Sequence, residues 1–308
     1  MKNGTCWTDD AGRPIQAHGG MIARFGKKWY WYGQNMDTET KPVASVGTRI
    51  DVVGVSCYSS ADLRSWHYEG LALAADPDTP ANHPLNPANV MERPKVLYNR
   101  KTGKYVMWYH FDDPEYMTAS AACAVADRPE GPFTFLHAAP PNRRDCRDIT
   151  VFQEPDSDRA FVFHCGDWNK TAYLSELNDE YTGFTGLCIA QLENQEREGL
   201  TLMRRDGIYY CVSSGCTGWD PNPLLYATTR FLEVPMQLRD NPCEGEGYRT
   251  GFDGQSTWIF EAGGTYYLML DHWHPDDLRA SCYSILPIDF DEKGRMTVAW
   301  RDEFDPKL

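Results

Sequence analysis

Five times along this chain a polar residue opens an alternating, strand-like run. A Gly or Asp turn follows, an aromatic run returns, and one or two further strand-like runs complete the unit. The openings are His18, Glu92, Asp148, Glu198 and Gln255, which lie 74, 56, 50 and 57 residues apart. A repeat of about 50 residues with four short strands in each is the pattern of a β-propeller, in which every blade stacks only on its neighbours. The expected fold is therefore all-β, a five-bladed β-propeller. It forms a single domain over residues 1–308, with blades near 15–70, 92–136, 147–192, 197–240 and 253–301. In such a fold the innermost strands line a central channel, so the five opening residues are expected to meet at one mouth.

The fourth unit shows the pattern most plainly. Leu200 and Leu202, then Ile208, Tyr210 and Val212, are apolar at alternate positions, which sends one face of each strand into a core. Asp206 and Gly207 between them form a tight-turn signal, because Gly accepts the positive φ of a short hairpin loop. The first unit runs from His18-Gly19-Gly20 through Trp29, Tyr30, Trp31 and Tyr32, with further strands at Val52–Ser59 and near Trp66. Residues 1–14 read as an irregular lead-in and 75–90 as a connecting loop. An aromatic content of 13%, broken by 25 Gly and 20 Pro, suits many short strands better than helices.

A net charge of −14 excludes the positive footprint that nucleic acid or an anionic membrane surface needs. No apolar run reaches membrane-spanning length, and the first residues lack the apolar core of a signal peptide. The ten cysteines show no CxxC or zinc-type spacing, and Cys123, Cys165 and Cys211 fall in apolar strand-like runs. A cytoplasmic location with reduced thiols is the simplest expectation; secretion after loss of a signal peptide is the rival. The oligomeric state is left open.

Carboxylates facing one cavity, with flat aromatic surfaces around them, suit hydrolysis of a glycosidic bond. One carboxyl must stay protonated to donate to the leaving oxygen, and neighbouring negative charge raises its pKa. Glu92, Asp148 and Glu198 supply the carboxylates, and Trp219 is the aromatic expected nearest the channel. Strand-end acids also commonly cap turns or pair with arginine, and Arg93, Arg147 and Arg197 each adjoin an opening residue. There is no GxSxG, P-loop, HExxH or GxGxxG motif. His272 and His274 share a strand face, as a metal could use, but packing or substrate contact accounts for two histidines more simply. The expected partner is an oligosaccharide, with no cofactor and no metal required. A structural calcium is the one ion allowed for, since residues 289–294 faintly resemble a calcium loop and read better as a solvated hairpin turn.

Several of these motifs resemble glycoside hydrolase family 43, and most closely its exo-β-1,3-galactanase branch. They are Ala17-His18-Gly19-Gly20, Glu92-Arg93-Pro94-Lys95-Val96, Arg147-Asp148-Ile149, Arg197-Glu198-Gly199, Ser214–Trp219 and Gln255-Ser256-Thr257-Trp258, with Asp271-His272-Trp273 near the end. The resemblance spans roughly residues 15–304 and implies a five-bladed propeller and an inverting exo-hydrolase. By position it implies Glu198 as general acid, Asp148 as the residue that tunes its pKa, and Glu92 as a binder of sugar hydroxyls or alternative base. Most of that family carries an aspartate base in the first blade, where this chain has His18-Gly19-Gly20. As in the galactanase branch, Gln255 then stands as water-positioner or unusual base. His18, Gln34, Tyr116, Thr217 and Trp219 are the implied substrate contacts. Gln34 follows Gly33 where many relatives have Glu after Gly. Release of galactose from β-1,3-galactan or arabinogalactan is the implied activity. An α-L-arabinofuranosidase of the same family and a non-catalytic sugar-binding propeller are the alternatives.

Overall fold

The computed structural model describes residues 1–43 and 47–308. Five sheets follow one another along the chain, antiparallel in the pairs of the blade strands, with Cys243–Glu244 added in parallel to the last. Blade 1 consists of His18–Phe25, Lys28–Gln34, Gly54–Ser60 and His67–Ala74. Blade 2 runs through Val90–Asn99, Lys104–Asp112, Ser120–Ala126 and Thr134–Ala139. Blade 3 comprises Ile149–Gln153, Ala160–Gly166, Thr171–Leu177 and Phe184–Gln191. Blade 4 is built on Ile208–Gly215 and Leu225–Thr229. Blade 5 holds Gln255–Ala262, Thr265–His272, Cys282–Phe290 and Met296–Ala299. The arrangement is a nearly all-β, five-bladed propeller.

Why a propeller forms is visible in how strand faces are divided. In Ile208–Gly215, Tyr209 and Cys211 join a core shared with blade 3, through Phe152, Phe161 and Phe163. Tyr210 and Val212 join a different core shared with blade 5, through Ile259, Leu268 and Leu286. Alternation therefore sorts side chains between two cores, where the sequence pattern indicated one buried face. A blade sandwiched on both sides must be apolar on both faces, so its second strand reads as a near-continuous buried run. Corresponding clusters fill the other junctions: Tyr32, Met107 and Tyr109 between blades 1 and 2; Trp108, Val151 and Val162 between 2 and 3; Trp31, Met269 and Tyr283 between 5 and 1.

Three features depart from the sequence expectation. The opening strand of blade 4 is broken into Arg197–Glu198 and Met203–Arg205. Gly199 (φ 61°) causes the break, and a Cβ there would lie 2.7 Å from the Ser256 carbonyl. Leu200 and Leu202 remain buried against blade 3. The predicted turn holds: Asp206 and Gly207 both have positive φ (50° and 74°), joining Arg205 to Ile208 in a two-residue hairpin loop.

Blade 1 also carries a hairpin, Thr40–Val43 and Gly47–Ile50, which accounts for the long first spacing. Ile50 of this hairpin packs with Met36 and Leu278, and Trp219 and Trp273 rest against that group. The lead-in, finally, closes the ring. Lys2 pairs with Glu303 and Thr5 with Tyr283, Asn3 bonds the carbonyls of Ile285 (3.2 Å) and Arg301 (2.9 Å), and Trp7 packs against Trp31 and Phe304. Blade 5 is thereby tied to blade 1 by a segment whose apolar anchor is a single tryptophan.

Candidate active site

At the mouth of the channel lies a cavity of about 400 Å³ whose wall includes Gly19, Glu92, Asp148, Glu198 and Gln255, one position from each blade. Arg93 and Lys95, on the strand that begins blade 2, tie three of these positions to it. The strand Val90–Asn99 bulges between Glu92 and Lys95, and Arg93 within the bulge has a left-handed φ of 51°. The bulge turns Arg93 across the channel. Its Nε donates to Asp148 Oδ1 at 2.8 Å, its Nη2 to Gln255 Oε1 at 2.6 Å and its Nη1 to the Ser256 carbonyl at 3.4 Å. Lys95 is fully buried, and its Nζ donates to the carbonyls of Gly19 (2.7 Å) and Arg93 (3.4 Å). Burial, with the charge of Arg93 beside it, pushes the Lys95 ammonium well below its usual pKa. Blade 2 thus braces the openings of blades 1, 3 and 5.

Glu198 is flanked by two side-chain amides. Gln255 Nε2 donates to its Oε1 at 3.1 Å and Asn169 Nδ2 to its Oε2 at 3.3 Å. Burial first, and the negative charge of Asp148 second, raise its pKa to about 8, against the lowering by Arg93, Cys216 and Gln255. Both causes favour the protonated form of the carboxyl. Asp148 accepts Arg93 on one oxygen and the backbone N–H of Gly199 on the other (2.7 Å), which locks it one residue from the acid.

Glu92 lies in a different setting. Tyr116 donates its hydroxyl to Oε1 at 2.7 Å, and His110 Nδ1 lies 3.2 Å from Oε2. His110 is itself buried and bonded through Nε2 to Asp112 at 3.0 Å. Burial opposes the charged ring, but Asp112 and Glu92 outweigh it and raise His110 to about 9. Asp112 also accepts the backbone N–H groups of Thr118 and Ala119. Each Glu92 oxygen keeps one lone pair for a sugar hydroxyl or a water.

Gln255 is more committed than the sequence implied. Its Oε1 accepts Arg93 Nη2 and Trp273 Nε1 (2.9 Å), and its Nε2 donates to Glu198 and to Ser214 Oγ (3.0 Å). All four hydrogen-bonding positions of the amide are engaged, so holding a water requires giving up one partner.

Gln34, Tyr116 and Trp219 line the cavity. His18 does not, which corrects its reading as a substrate contact, whereas Thr217 is exposed beside Gly218 and Trp219 of the cavity wall. His18 is fully buried behind Gly19, where its Nε2 meets Tyr283 Oη at 3.0 Å and Gln16 Oε1 at 3.2 Å. Because Gly20 leaves no room for a Cβ against the Tyr32 carbonyl, the first two strands press together there and fold the histidine inward. Thr217 donates to the Asp220 carbonyl at 2.6 Å and accepts from Asn222 at 2.7 Å, tying the loop that presents Trp219.

His272 and His274 do not converge on a metal. The first bonds the Asp253 carbonyl and Ser284, and the second meets the Cys282 sulfur. Asp291 closes its hairpin by accepting the N–H groups of Lys293 and Arg295. Among the described residues no group of three or more His, Cys, Asp or Glu side chains is placed to hold a metal. Sequence reasoning missed Arg93, His110, Trp168, Asn169 and Trp273 as residues of the cavity. Arg93 and Trp273 lie within motifs quoted above, whereas Trp168 stands in a polar turn, an unusual place for a large aromatic.

A protonated carboxyl beside a fixed carboxylate, in a cavity walled by tryptophans on a five-bladed propeller, defines a glycoside hydrolase. Residues 21–243 match the family described as Glycosyl hydrolases family 43, and the chain belongs to that family. A solved GH43 β-1,3-galactosidase with galactodeoxynojirimycin superposes with a TM-score of 0.90 at 32% identity, covering 99% of this chain and 100% of that one. An exo-β-1,3-galactanase from Phanerochaete chrysosporium with galactose gives 0.88 at 30%, covering 98% of this chain and 67% of that one. An exo-β-1,3-galactanase from Clostridium thermocellum gives 0.86 at 31%, covering 98% and 65% respectively. A search of the curated proteins returns no match.

Proposed function

We propose that this enzyme removes galactose, with inversion, from the ends of β-1,3-linked galactan or arabinogalactan oligosaccharides. The observation that carries the reading is Glu198, a carboxyl in the wall of the cavity beside Asp148, whose pKa burial and that neighbouring charge raise to about 8. In this scheme Glu198 donates its proton to the glycosidic oxygen as the bond to the anomeric carbon breaks. Asp148 holds negative charge beside it and so keeps the proton in place. Water attacks the opposite face and yields the inverted anomer. Glu92, whose oxygens retain acceptor capacity, binds hydroxyls of the terminal sugar or takes the proton of the water; Gln255 orients Glu198 and Arg93. Tyr116, Gln34 and Trp219 complete the sugar-facing wall.

Exo action is favoured by Arg93, which reaches across the channel to Asp148 and Gln255 within the cavity wall, since a pocket closed on one side admits a chain end. The galactosyl preference is supported by solved relatives described as β-1,3-galactosidase and exo-β-1,3-galactanase. Incubation with β-1,3-galactobiose, followed by proton NMR, should show α-galactose as the first-formed product. An aryl α-L-arabinofuranoside run in parallel should remain intact. Cleavage of the arabinofuranoside alone would replace the galactosyl reading, and binding without turnover of either would replace the catalytic one.

A further inference from the structure

Blade 3 turns between Ala160–Gly166 and Thr171–Leu177 through Asp167, Trp168 and Asn169, none of them glycine, all with left-handed φ (51°, 60° and 63°). Such a run is unfavourable for L-residues and persists only where its surroundings impose it. Here they do. The Asp145 carboxylate accepts the N–H groups of Asp167 (2.7 Å) and Trp168 (3.2 Å), and Tyr173 donates its hydroxyl to Asp167. The Arg147 guanidinium lies over the Trp168 ring at 4.2 Å, and its Nη1 is held by the Tyr116 carbonyl at 3.1 Å. What this turn achieves is to keep a tryptophan 62% exposed in the wall of the cavity, while Trp7, Trp29, Trp31, Trp66 and Trp108 are buried.

The hydrogen bonds of Glu198 say which end of the cavity this is. Oε1 accepts from Gln255 and Oε2 from Asn169, so one oxygen faces the Gln255 side of the cavity and the other faces the blade 3 turn. Oε2 is the oxygen next to Asn169, the residue that follows Trp168. On the Oε1 side Gln255 is tied to Arg93, Trp273 and Ser214, whereas the Oε2 side leads to the exposed Trp168, so a leaving oxygen that meets Oε2 carries its sugar along the Asn169–Trp168 side. Gln255, Trp273 and Trp219 stand on the other side of the acid. The apolar face of a pyranose matches the open surface of an indole.

We propose that Trp168 is the platform for the leaving-group sugar, the pyranose from which the terminal residue is cut, and that it sets which aglycone the enzyme accepts. The inference rests on Glu198 being the proton donor. Its test compares Trp168→Ala and Trp168→Phe with wild type on β-1,3-galactobiose and on β-galactosyl fluoride, whose leaving group is a single atom. The inhibition constant of free galactose is measured in the same variants. The expected result for Trp168→Ala is a fall of about tenfold in the ratio of kcat/KM on galactobiose to kcat/KM on the fluoride, carried mainly by KM. Trp168→Phe should recover most of that ratio, and galactose inhibition should move less than about twofold. An unchanged ratio, or an equal loss on both substrates and in galactose inhibition, would overturn the proposal. Wild-type enzyme that cleaves neither substrate would instead overturn the catalytic reading on which it rests.

Discussion

Glu198 and Glu92 share one cavity and carry the same side chain, yet the protein has given them opposite surroundings. Glu198 meets amides and a neighbouring carboxylate; the nearest cation, Arg93, spends its hydrogen bonds on Asp148, Gln255 and Ser256. Glu92 meets a tyrosine hydroxyl and an imidazole raised to about 9. The first environment penalises charge and keeps a proton available for donation. The second supplies positive charge to a carboxylate that must accept hydrogen bonds. Division of labour between two identical side chains is thus decided by which partner each can reach.

The most severe way to break this asymmetry is Glu198→Gln, which keeps the shape and removes the proton. Turnover of galactobiose should fall by about 10²–10⁴, with a much smaller loss on an aryl galactoside whose leaving group needs little protonation. Equal losses on both substrates, measured as kcat, would move the acid role to Glu92.

His110→Phe attacks the other side of the comparison. It strands Glu92 and the buried Asp112 without their shared cation and should cost about 3–5 kcal/mol in urea denaturation. Because the folded-state pKa of His110 lies above its ordinary value of 6.5, the stability it contributes is complete below that pH and is lost as pH rises through about 9. The gap between wild type and variant should therefore narrow across that window. A gap independent of pH would show that the ring is not charged.

A smaller effect is expected from Asp148→Asn. Removing the negative charge, and releasing Arg93, should move the alkaline limb of kcat/KM downward from about pH 8, by about one unit or less, because burial remains the larger cause. A limb that stays in place would assign the shift to burial alone. Tyr116→Phe, the mildest change, removes one hydrogen bond to Glu92 and should lower kcat/KM about 3–10-fold without moving that limb. A shift in the limb would mean that the two carboxylates are coupled.

The fivefold recurrence of an opening polar residue, a tight turn and an aromatic strand was enough to determine the propeller. Periodicity is a local property, and a blade that stacks only on its neighbours is specified by its own strands. The same recurrence aligned Glu92, Asp148, Glu198 and Gln255 at one mouth, since equivalent positions in equivalent blades point to the same axis. What lies between the repeats was not legible. His18 occupies an opening position but is pulled behind the wall, because Gly20 brings two strands into a contact no side chain would allow. His110 reaches Glu92 from the neighbouring strand of its blade, and Asn169 reaches Glu198 from a turn in the preceding blade. Neither approach has a sequence spacing that announces it. Arg93 joins three blades through a bulge whose geometry depends on all three. The chain by itself therefore determined which groups would gather. Only the tertiary structure decided which of them holds a proton, because a pKa answers to burial and to charges brought from distant parts of the sequence.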